Sequence, residues 1–169
     1  TPDLVISGFN PGENAGISSF YSGTVAGARE GTFFGIRSLS LSLSLFDPSH
    51  YAYALQWLDR FLARIVDHSI DFDPRRTYLN INFPHCAVKD IKGTRVTRQG
   101  TAPFNDDFEE RVNPSGKKYY WLFGDKTLSD DCCYDEKAVR CAYVTVTPLT
   151  IDMTDNVFYE KYASNATFV

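Results

Sequence analysis

The sequence has no long hydrophobic run and no excess of basic residues, and these two absences exclude whole classes of function. No uninterrupted apolar stretch approaches the ~18 residues that indicate a membrane-spanning helix. Lys and Arg number 17 against 21 Asp and Glu, which gives a net charge of -4. Binding to a nucleic-acid backbone depends on clustered positive charge. We therefore predict a protein that binds neither a membrane nor nucleic acid.

Cysteine patterns typical of metal sites or disulfide frameworks are missing too. The four cysteines, Cys86, Cys132, Cys133 and Cys141, have no C-x-x-C spacing and no suitably placed histidine, which disfavours a zinc site. The adjacent pair can hardly form a disulfide without strain. The N-terminus also lacks a basic segment followed by an apolar one, the pattern of a secretory signal. We expect reduced thiols in a cytoplasmic protein.

Familiar catalytic motifs are also absent. The sequence contains no G-x-S-x-G elbow and no glycine-rich phosphate loop ending in Lys-Ser or Lys-Thr. The three histidines, His50, His68 and His85, belong to no carboxylate cluster and no metal-ligand spacing. We therefore predict that they lie in loops or on the surface.

What the sequence does contain is the composition of a globular core. Hydrophobic residues make up 43% and aromatic residues 15% of the 169 positions, enough to support one domain without disulfides. We predict a single domain over residues 1–169 with three portions. They are an α/β core portion at 1–86, a β-rich extension at 87–141, and a returning strand with a C-terminal helix at 142–169.

Strand and helix patterns alternate along the first portion. Short apolar runs predict strands, and apolar residues recurring about every 3.6 positions predict a helix. This order favours right-handed crossovers in a mostly parallel sheet, and hence a Rossmann-like three-layer α/β sandwich. The predicted elements are a strand at Asp3–Ser7, a loop at Gly8–Ser19, a helix at Ser22–Gly35, a strand at Ser38–Leu45, a helix at Tyr51–His68 and a strand at Tyr78–Phe83.

The second and third portions show strand patterns around turns. Antiparallel or edge strands are predicted at Val88–Gln99 and Lys117–Phe123, with a turn between them at Asn113–Gly116. The acidic stretch Asn105–Arg111 is expected to be a solvated loop. Ala142–Thr147 is predicted to return as a strand stopped by Pro148, followed by a helix at Thr154–Ala163.

Two patterns in the first portion predict particular packing. Alternation in Ser38–Leu45 predicts a strand whose leucine face points inward. The helix after Ser22 carries Gly23, Gly27, Gly31 and Gly35 every four residues, so the glycines share one face. Because interior glycine costs up to about 1 kcal/mol relative to alanine, we expect a close neighbour along that face.

The strand-to-loop junction around Asn10 is the candidate site, because open α/β sheets bind ligands at the carboxyl ends of their strands. The Asn10 amide oxygen suits Mg²⁺ or Mn²⁺, although an isolated Asn in such a loop commonly forms a turn. Beyond it, Ser22 and Thr24 open a helix whose N-terminus can bind an anion. Simple capping by the same hydroxyls is an equal alternative.

Several segments together resemble the SurE family over nearly the whole chain. They are Pro2-Asp3-Leu4-Val5-Ile6-Ser7-Gly8-Phe9-Asn10-Pro11-Gly12-Glu13-Asn14, Tyr21-Ser22-Gly23-Thr24-Val25, Arg29-Glu30-Gly31, Leu79-Asn80-Ile81-Asn82-Phe83-Pro84, Thr97-Arg98-Gln99, Tyr119-Tyr120-Trp121 and Tyr143-Val144-Thr145-Val146-Thr147-Pro148-Leu149. The resemblance implies a divalent-metal-dependent (Mg or Mn) hydrolase of nucleoside 5′- and 3′-monophosphates. Some members also use polyphosphate. It also implies a homodimer or homotetramer joined through the hairpin and C-terminal segment.

The resemblance assigns roles to five residues. Asn10 corresponds to a metal ligand of the catalytic site, Ser22, Gly23 and Thr24 to the phosphate-contacting element, and Asn14 lies close to the same site. The other metal ligands of the family, two adjacent Asp and a Ser, are expected to precede Thr1, so that the N-terminal part of the domain is absent.

Two pairs of adjacent acids in the chain, Asp106-Asp107 and Asp130-Asp131, follow no opening strand and cannot replace the family's Asp pair. We therefore expect the chain alone to be inactive. The alternative is a catalytically inactive fragment or variant that acts as a binding or assembly protein.

Overall fold

A central five-stranded sheet organises the protein in the computed structural model, which describes residues 2–45, 47–128 and 130–164. Residues 1, 46, 129 and 165–169, which fall within the three predicted portions, lie outside the described residues. The elements in chain order are β1 Leu4–Pro11, α1 Ser18–Tyr21, α2 Gly23–Phe33, β2 Arg37–Leu43, α3 Pro48–Val66, β3 Thr77–Phe83, a 3-10 turn at Val88–Asp90, β4 Thr94–Val96, β5 Phe104–Val112, β6 Lys118–Lys126, α4 Asp135–Arg140, β7 Val144–Thr150 and α5 Asn156–Tyr162.

The sheet has the strand order β1-β2-β3-β7-β4 and is mostly parallel. The pairs β1 with β2, β2 with β3 and β4 with β7 are parallel, whereas β3 and β7 are antiparallel. Strands β5 and β6 form a separate two-stranded hairpin. The predicted α/β class is confirmed.

Helices cover both faces of the sheet, which gives the predicted three layers. On one face the apolar side of α3, including Trp57, Leu58 and Phe61, packs against leucines and other apolar residues of β2 and β3. On the other face α2 contributes Val25 and Ala28 to a second apolar cluster. These two apolar clusters hold the helices against the two faces of the sheet.

Strand β2 buries its leucine face as predicted, and its serine face is buried as well. Leu39 and Leu41 contribute to the α3 core, and Ser38, Ser40 and Ser42 on the other face are also fully buried. A strand covered by helices on both sides has no solvent-facing row. The small serine side chains instead leave room for α2 to lie close to the sheet.

The glycine face of α2 meets the sheet as predicted at two positions. A Cβ added to Gly27 would lie 2.6 Å from Ser7 Oγ, and one added to Gly31 would lie 2.9 Å from Val5 Cγ2 and overlap Ser38 Oγ. At Gly23 a Cβ would meet nothing within 4 Å. The close approach therefore begins at Gly27, about one turn into the helix, and the first residue faces open space.

Strand β1 continues beyond the predicted end at Ser7, so the expected loop from Gly8 was wrong in its first residues. Pairing with β2 shifts register between Ser7 and Asn10 and then resumes to Pro11. Gly8 has φ +133° and lies so close to the Leu41 carbonyl that a Cβ would collide with it. Glycine therefore permits a bulge inside a strand here.

The acidic stretch Asn105–Arg111 is exposed to solvent as predicted, but it forms part of strand β5 and not a loop. Pairing with β6 runs along the whole strand, from Phe104 opposite Lys126 to Val112 opposite Lys118. Its charges find partners on the hairpin, as in the 2.7 Å ion pair between Lys118 and Glu110. Pairing with β6 thus makes this polar segment a strand.

Other boundaries also differ from the prediction. Val88–Gln99 contains a 3-10 turn and the three-residue strand β4, and β7 continues past Pro148. The short helices α1 and α4 were not predicted.

His50 is buried, contrary to expectation, with Nδ1 2.8 Å from Asp47 Oδ2 and Nε2 in contact with the Cys86 carbonyl. Among the described residues, no helix combines the length and the apolar character needed to cross a membrane.

Candidate functional site

Asn10 lies at the carboxyl end of β1, beside the start of α2. Its Nδ2 donates to the carbonyls of Gly12 at 2.8 Å and Pro11 at 3.3 Å. These bonds fix the amide so that Oδ1 faces Thr24 Oγ1, which donates to it at 3.5 Å. The Asn10 amide therefore bonds to the backbone that follows it, and its oxygen points toward the helix start, while its role as a metal ligand stays a prediction.

The start of α2 combines capping with open space. Ser22 is the N-cap, and its Oγ accepts a hydrogen bond from the Val25 N–H at 3.2 Å. Gly23 follows with no atom near the position of a Cβ. Backbone N–H groups in the first turn of a helix have no intrahelical acceptor and face a ligand favourably. Capping is confirmed here, and anion binding stays a prediction.

Asn14 is held by three buried polar side chains from the neighbouring strands. Its N–H donates to Asn82 Oδ1 at 2.7 Å, its Nδ2 donates to Ser42 Oγ at 2.8 Å, and its carbonyl accepts from Asn80 Nδ2 at 2.8 Å. Ser40 Oγ in turn donates to Asn80 Oδ1 at 2.9 Å. Because buried polar groups are costly when unpaired, this network fixes the loop after β1 against β2 and β3.

A buried carboxylate at the start of α4 provides a second anchor for the same loop. Asp135 accepts hydrogen bonds from the N–H groups of Gly16 at 3.0 Å and Gly100 at 2.8 Å. Burial raises the pKa of Asp135, while these N–H donors and that of Glu136 oppose the rise. A Cβ on Gly16 or Gly100 would overlap the Glu136 carboxylate, so both glycines are needed for this packing.

The Lys126–Glu136 ion pair provides a third anchor and connects the hairpin to the core. Lys126 Nζ lies 2.6 Å from Glu136 Oε1, and both side chains are nearly buried. Nζ also donates to the Ala15 carbonyl at 3.2 Å and to Ser18 Oγ at 2.9 Å. The loop that joins β1 to α2 is thus held by the sheet, by α4 and by the end of β6.

A cavity of about 700 Å³ opens between this loop and the base of the hairpin. Asn14 and Ser22 lie in one wall, while Phe104, Asp106 and Leu122 of the hairpin line the other. Ser22 also caps α2, so the cavity is continuous with the candidate anion site.

The structure brings the five predicted site residues into one region, with Asn10 facing Thr24 and Asn14 sharing a cavity with Ser22. Within the described residues, no group of three or more His, Cys, Asp or Glu side chains is arranged to hold a metal ion. The supporting residues Asp135, Glu136 and Lys126 were missed, since nothing near them in the sequence marks them.

The sheet, its two helical layers and a polar site at the strand ends define an α/β protein with its candidate site at the sheet's carboxyl edge. The chain belongs to the SurE family, since residues 1–106 match the family described as "Survival protein SurE".

Relatives named "5'-nucleotidase SurE" are similar over most of this chain. The protein from Fervidobacterium nodosum is 44% identical over 91% of this chain and 59% of its own length. That from Chlorobaculum tepidum is 40% identical over 93% of this chain and 59% of its own length. The chain therefore spans about three fifths of these relatives.

A solved structure supports the same fold. The "Crystal Structure of Sure Protein from Aquifex aeolicus" superposes with a TM-score of 0.76 at 33% identity, covering 95% of this chain and 64% of that one.

Proposed function

We propose that the protein is a divalent-metal-dependent phosphomonoesterase that hydrolyses nucleoside 5′- and 3′-monophosphates. The observation that supports this most is the placement of Asn10 Oδ1 at the start of α2, 3.5 Å from Thr24 Oγ1. A neutral oxygen ligand and a set of anion-binding donors thus lie side by side. Relatives named "5'-nucleotidase SurE" match most of this chain.

The chemistry of Asn10 fits one position in a Mg²⁺ or Mn²⁺ site. Hard cations prefer oxygen ligands, including amide carbonyls, and Nδ2 is occupied by two backbone carbonyls. One amide oxygen does not hold a divalent cation, so carboxylates from the part of the protein outside these 169 residues are the proposed further ligands. When bound, the ion would polarise a phosphoryl oxygen and activate water.

The residues at the α2 start would bind the phosphate group. The backbone N–H groups of Gly23 and Thr24 and the Thr24 hydroxyl are donors at the positive end of the helix dipole. The missing Cβ at Gly23 leaves space for a close approach. Fixed donors of this kind stabilise the negative charge that develops as the phosphoester bond breaks.

Asn14 would act by holding these groups in place. Its three hydrogen bonds to Ser42, Asn80 and Asn82 tie the loop to the centre of the sheet. A site whose loop is fixed before binding loses less entropy when the phosphate group arrives.

The β5–β6 hairpin supports the proposal of a homodimer or homotetramer. Its exposed apolar side chains include Phe108, Tyr120 and Trp121, which remain between 54% and 64% exposed. Aromatic residues are enriched in subunit interfaces. The same observation favours the second candidate function, assembly without turnover. Light scattering at micromolar concentration measures the oligomeric state, and a monomer would contradict the proposed homodimer or homotetramer.

Substitution of Asn10 tests the catalytic proposal in a protein that carries the remaining metal ligands. Asn10→Ala should reduce metal-dependent turnover of a nucleoside monophosphate by roughly 100-fold, since each 1.36 kcal/mol of lost transition-state stabilisation is about tenfold. Asn105→Ala is the matched control, because Asn105 is exposed and bonds to Thr127 Oγ1. Equal and small effects, with unchanged metal dependence, would refute the role of Asn10.

The 169-residue chain by itself tests where the other ligands lie. With Mn²⁺ or Mg²⁺ added, it should hydrolyse a chromogenic phosphate ester at a rate near background. Robust metal-dependent turnover by this chain would contradict the proposed ligand set and require a different site.

A further inference from the structure

Two of the four cysteines lie side by side at the two ends of α4. Cys132 Sγ is 2.9 Å from Cys141 Sγ, and both residues are free, partly exposed thiols. Cys132 precedes the first residue of the helix by three positions, and Cys141 is the C-cap. The two side chains therefore meet across α4, and only a small movement separates them from the ~2.05 Å of an S–S bond.

The backbone on both sides of α4 holds the two thiols in this position. Before the helix, the Arg98 N–H donates to the Cys133 carbonyl at 2.8 Å, and the Asp135 N–H donates to the Arg98 carbonyl at 2.9 Å. At the end of the helix, the Cys141 N–H donates to the Lys137 carbonyl at 2.9 Å. The approach of the thiols thus follows from the path of the main chain.

The adjacent thiol of Cys133 has a different partner. Its Sγ donates to Asp131 Oδ2 at 3.0 Å, and the residue is exposed. This hydrogen bond to the carboxylate raises the pKa of the Cys133 thiol, which keeps the thiol protonated. A disulfide between the neighbours Cys132 and Cys133 would be strained. Cys141 is therefore the partner for Cys132.

We propose that Cys132 and Cys141 form a reversible disulfide that fastens the two ends of α4, with a small-molecule disulfide as the oxidant. The thiolate of one cysteine attacks a sulfur of the oxidant and releases one small thiol, which leaves a mixed disulfide on the protein. The thiolate of the other cysteine then attacks the protein sulfur and releases the second small thiol. Two electrons pass from the protein thiols to the oxidant, and the two thiol protons end on the released thiols.

The surroundings of Cys132 set how much of the attacking thiolate is present. The hydrogen bond shared with Cys141, together with partial burial, raises the pKa of the Cys132 thiol, whereas Arg95 and Lys137 oppose the rise. Exchange should therefore proceed through a minor thiolate population, and cross-linking at neutral pH should take minutes to hours.

The helix enclosed by this disulfide anchors the loop beside the candidate site. Asp135 accepts a hydrogen bond from the Gly16 N–H, and Glu136 pairs with Lys126. Because the thiols already lie together in the reduced fold, the new bond constrains the unfolded chain and leaves the folded geometry nearly unchanged. The oxidised protein should therefore keep α4 and the loop in place at a higher temperature than the reduced protein. This holds whether or not the site hydrolyses a phosphomonoester.

Peptide mapping of the full-length protein tests the pairing. The folded protein is incubated with oxidised glutathione for several hours, free thiols are alkylated, and the protein is digested with trypsin. Cleavage after Lys137 and Arg140 separates the two cysteines, so the disulfide joins two peptides that dithiothreitol releases. We expect equal yields of this linked pair from the parent and from Cys133→Ser. Cys132→Ser should lower the yield about tenfold or more, although Cys133 remains next to the substituted position.

Thermal melting gives the second readout. Oxidation should raise the melting temperature of the parent and of Cys133→Ser by about 5 °C, as expected for a short loop closed in the unfolded chain. It should leave the melting temperature of Cys132→Ser unchanged. Absence of the linked peptides from the oxidised parent, or equal yields from Cys132→Ser and Cys133→Ser, would overturn the proposed pair. Linked peptides without a rise in melting temperature would overturn the fastening of α4.

Discussion

Replacing Lys126 by methionine would leave the Glu136 carboxylate buried without its cation. The two side chains are 2.6 Å apart and only 8% and 4% exposed. Removing one partner of a buried ion pair costs about 3–5 kcal/mol, because the remaining charge is left uncompensated. That is a large fraction of the ~5–15 kcal/mol that stabilises a typical domain. We therefore expect Lys126→Met to be among the most destabilising single changes in the hairpin.

The hairpin itself contains a control for this prediction. Lys118 forms an ion pair of nearly the same length, 2.7 Å, with Glu110, but the side chains are 65% and 44% exposed. An exposed pair contributes about 0–1 kcal/mol, so Lys118→Met should change stability little. Urea unfolding followed by circular dichroism measures both variants.

A double-mutant cycle separates the ion pair from the loss of methylene packing. Adding Glu136→Gln to Lys126→Met removes the unpaired charge and should recover part of the stability, with a coupling energy of about 1–3 kcal/mol. The reasoning would be refuted if Lys126→Met and Lys118→Met were equally mild, or if the double variant were as unstable as the sum of the single ones.

Two further changes test the packing of α2 and the cap of α3. Gly31→Ala should destabilise the folded protein by about 1–3 kcal/mol, because its Cβ would overlap Ser38. Gly23→Ala should be nearly neutral. Calorimetric melting of both variants checks this prediction, and equal melting temperatures would contradict it. Hydrogen bonds from the Ser49 hydroxyl and nearby backbone lower the pKa of Asp47 from 3.8 to about 2, so its stabilisation is present above pH 3.8 and is lost toward pH 2. Asp47→Asn should flatten the decline of the melting temperature in that window, and an unchanged slope would refute the assignment.

Helix α3 and strand β3 could be predicted from the sequence because their signals are local. Apolar residues at Leu58, Phe61 and Ile65 recur with the helical period and all face one core. Strand β3 alternates Leu79, Ile81 and Phe83 with polar residues and is ended by Pro84. In both cases the pattern that defines the element also defines what it buries, so the observed bounds differ by only a few residues.

Strands β1 and β5 were harder to predict because their partners decide them. Gly8 and Pro11 indicate a loop in the sequence, yet register with β2 extends β1 across both. The charged residues of β5 correctly indicate solvent exposure, but they do not reveal that β6 pairs with the strand along its whole length. Backbone pairing with another segment leaves little trace in either segment alone.

The residues of the candidate site also differ in how well the sequence predicts them. Asn10, Ser22 and Thr24 follow one another closely, so the motif that contains them could be assigned by resemblance. Asn80 and Asn82 alternate within a strand, where Asn is depleted, and that alternation was the available signal for their polar role. Glu136 is more than a hundred positions from the Gly16 backbone against which it packs, a contact that only the folded chain reveals.

The antiparallel pairing of β3 with β7 also sets an order of events during synthesis. Thr77 pairs with Thr150, so a ribosome must translate the whole hairpin and α4 before the middle of the sheet can close. Chains emerge N-terminal end first, at about 5–20 residues per second. Until β7 arrives, β3 presents an open edge that can pair with another chain, whereas the β5–β6 hairpin can form at once from local contacts. Nascent chains are therefore most exposed to misassembly between completion of β3 and completion of β7.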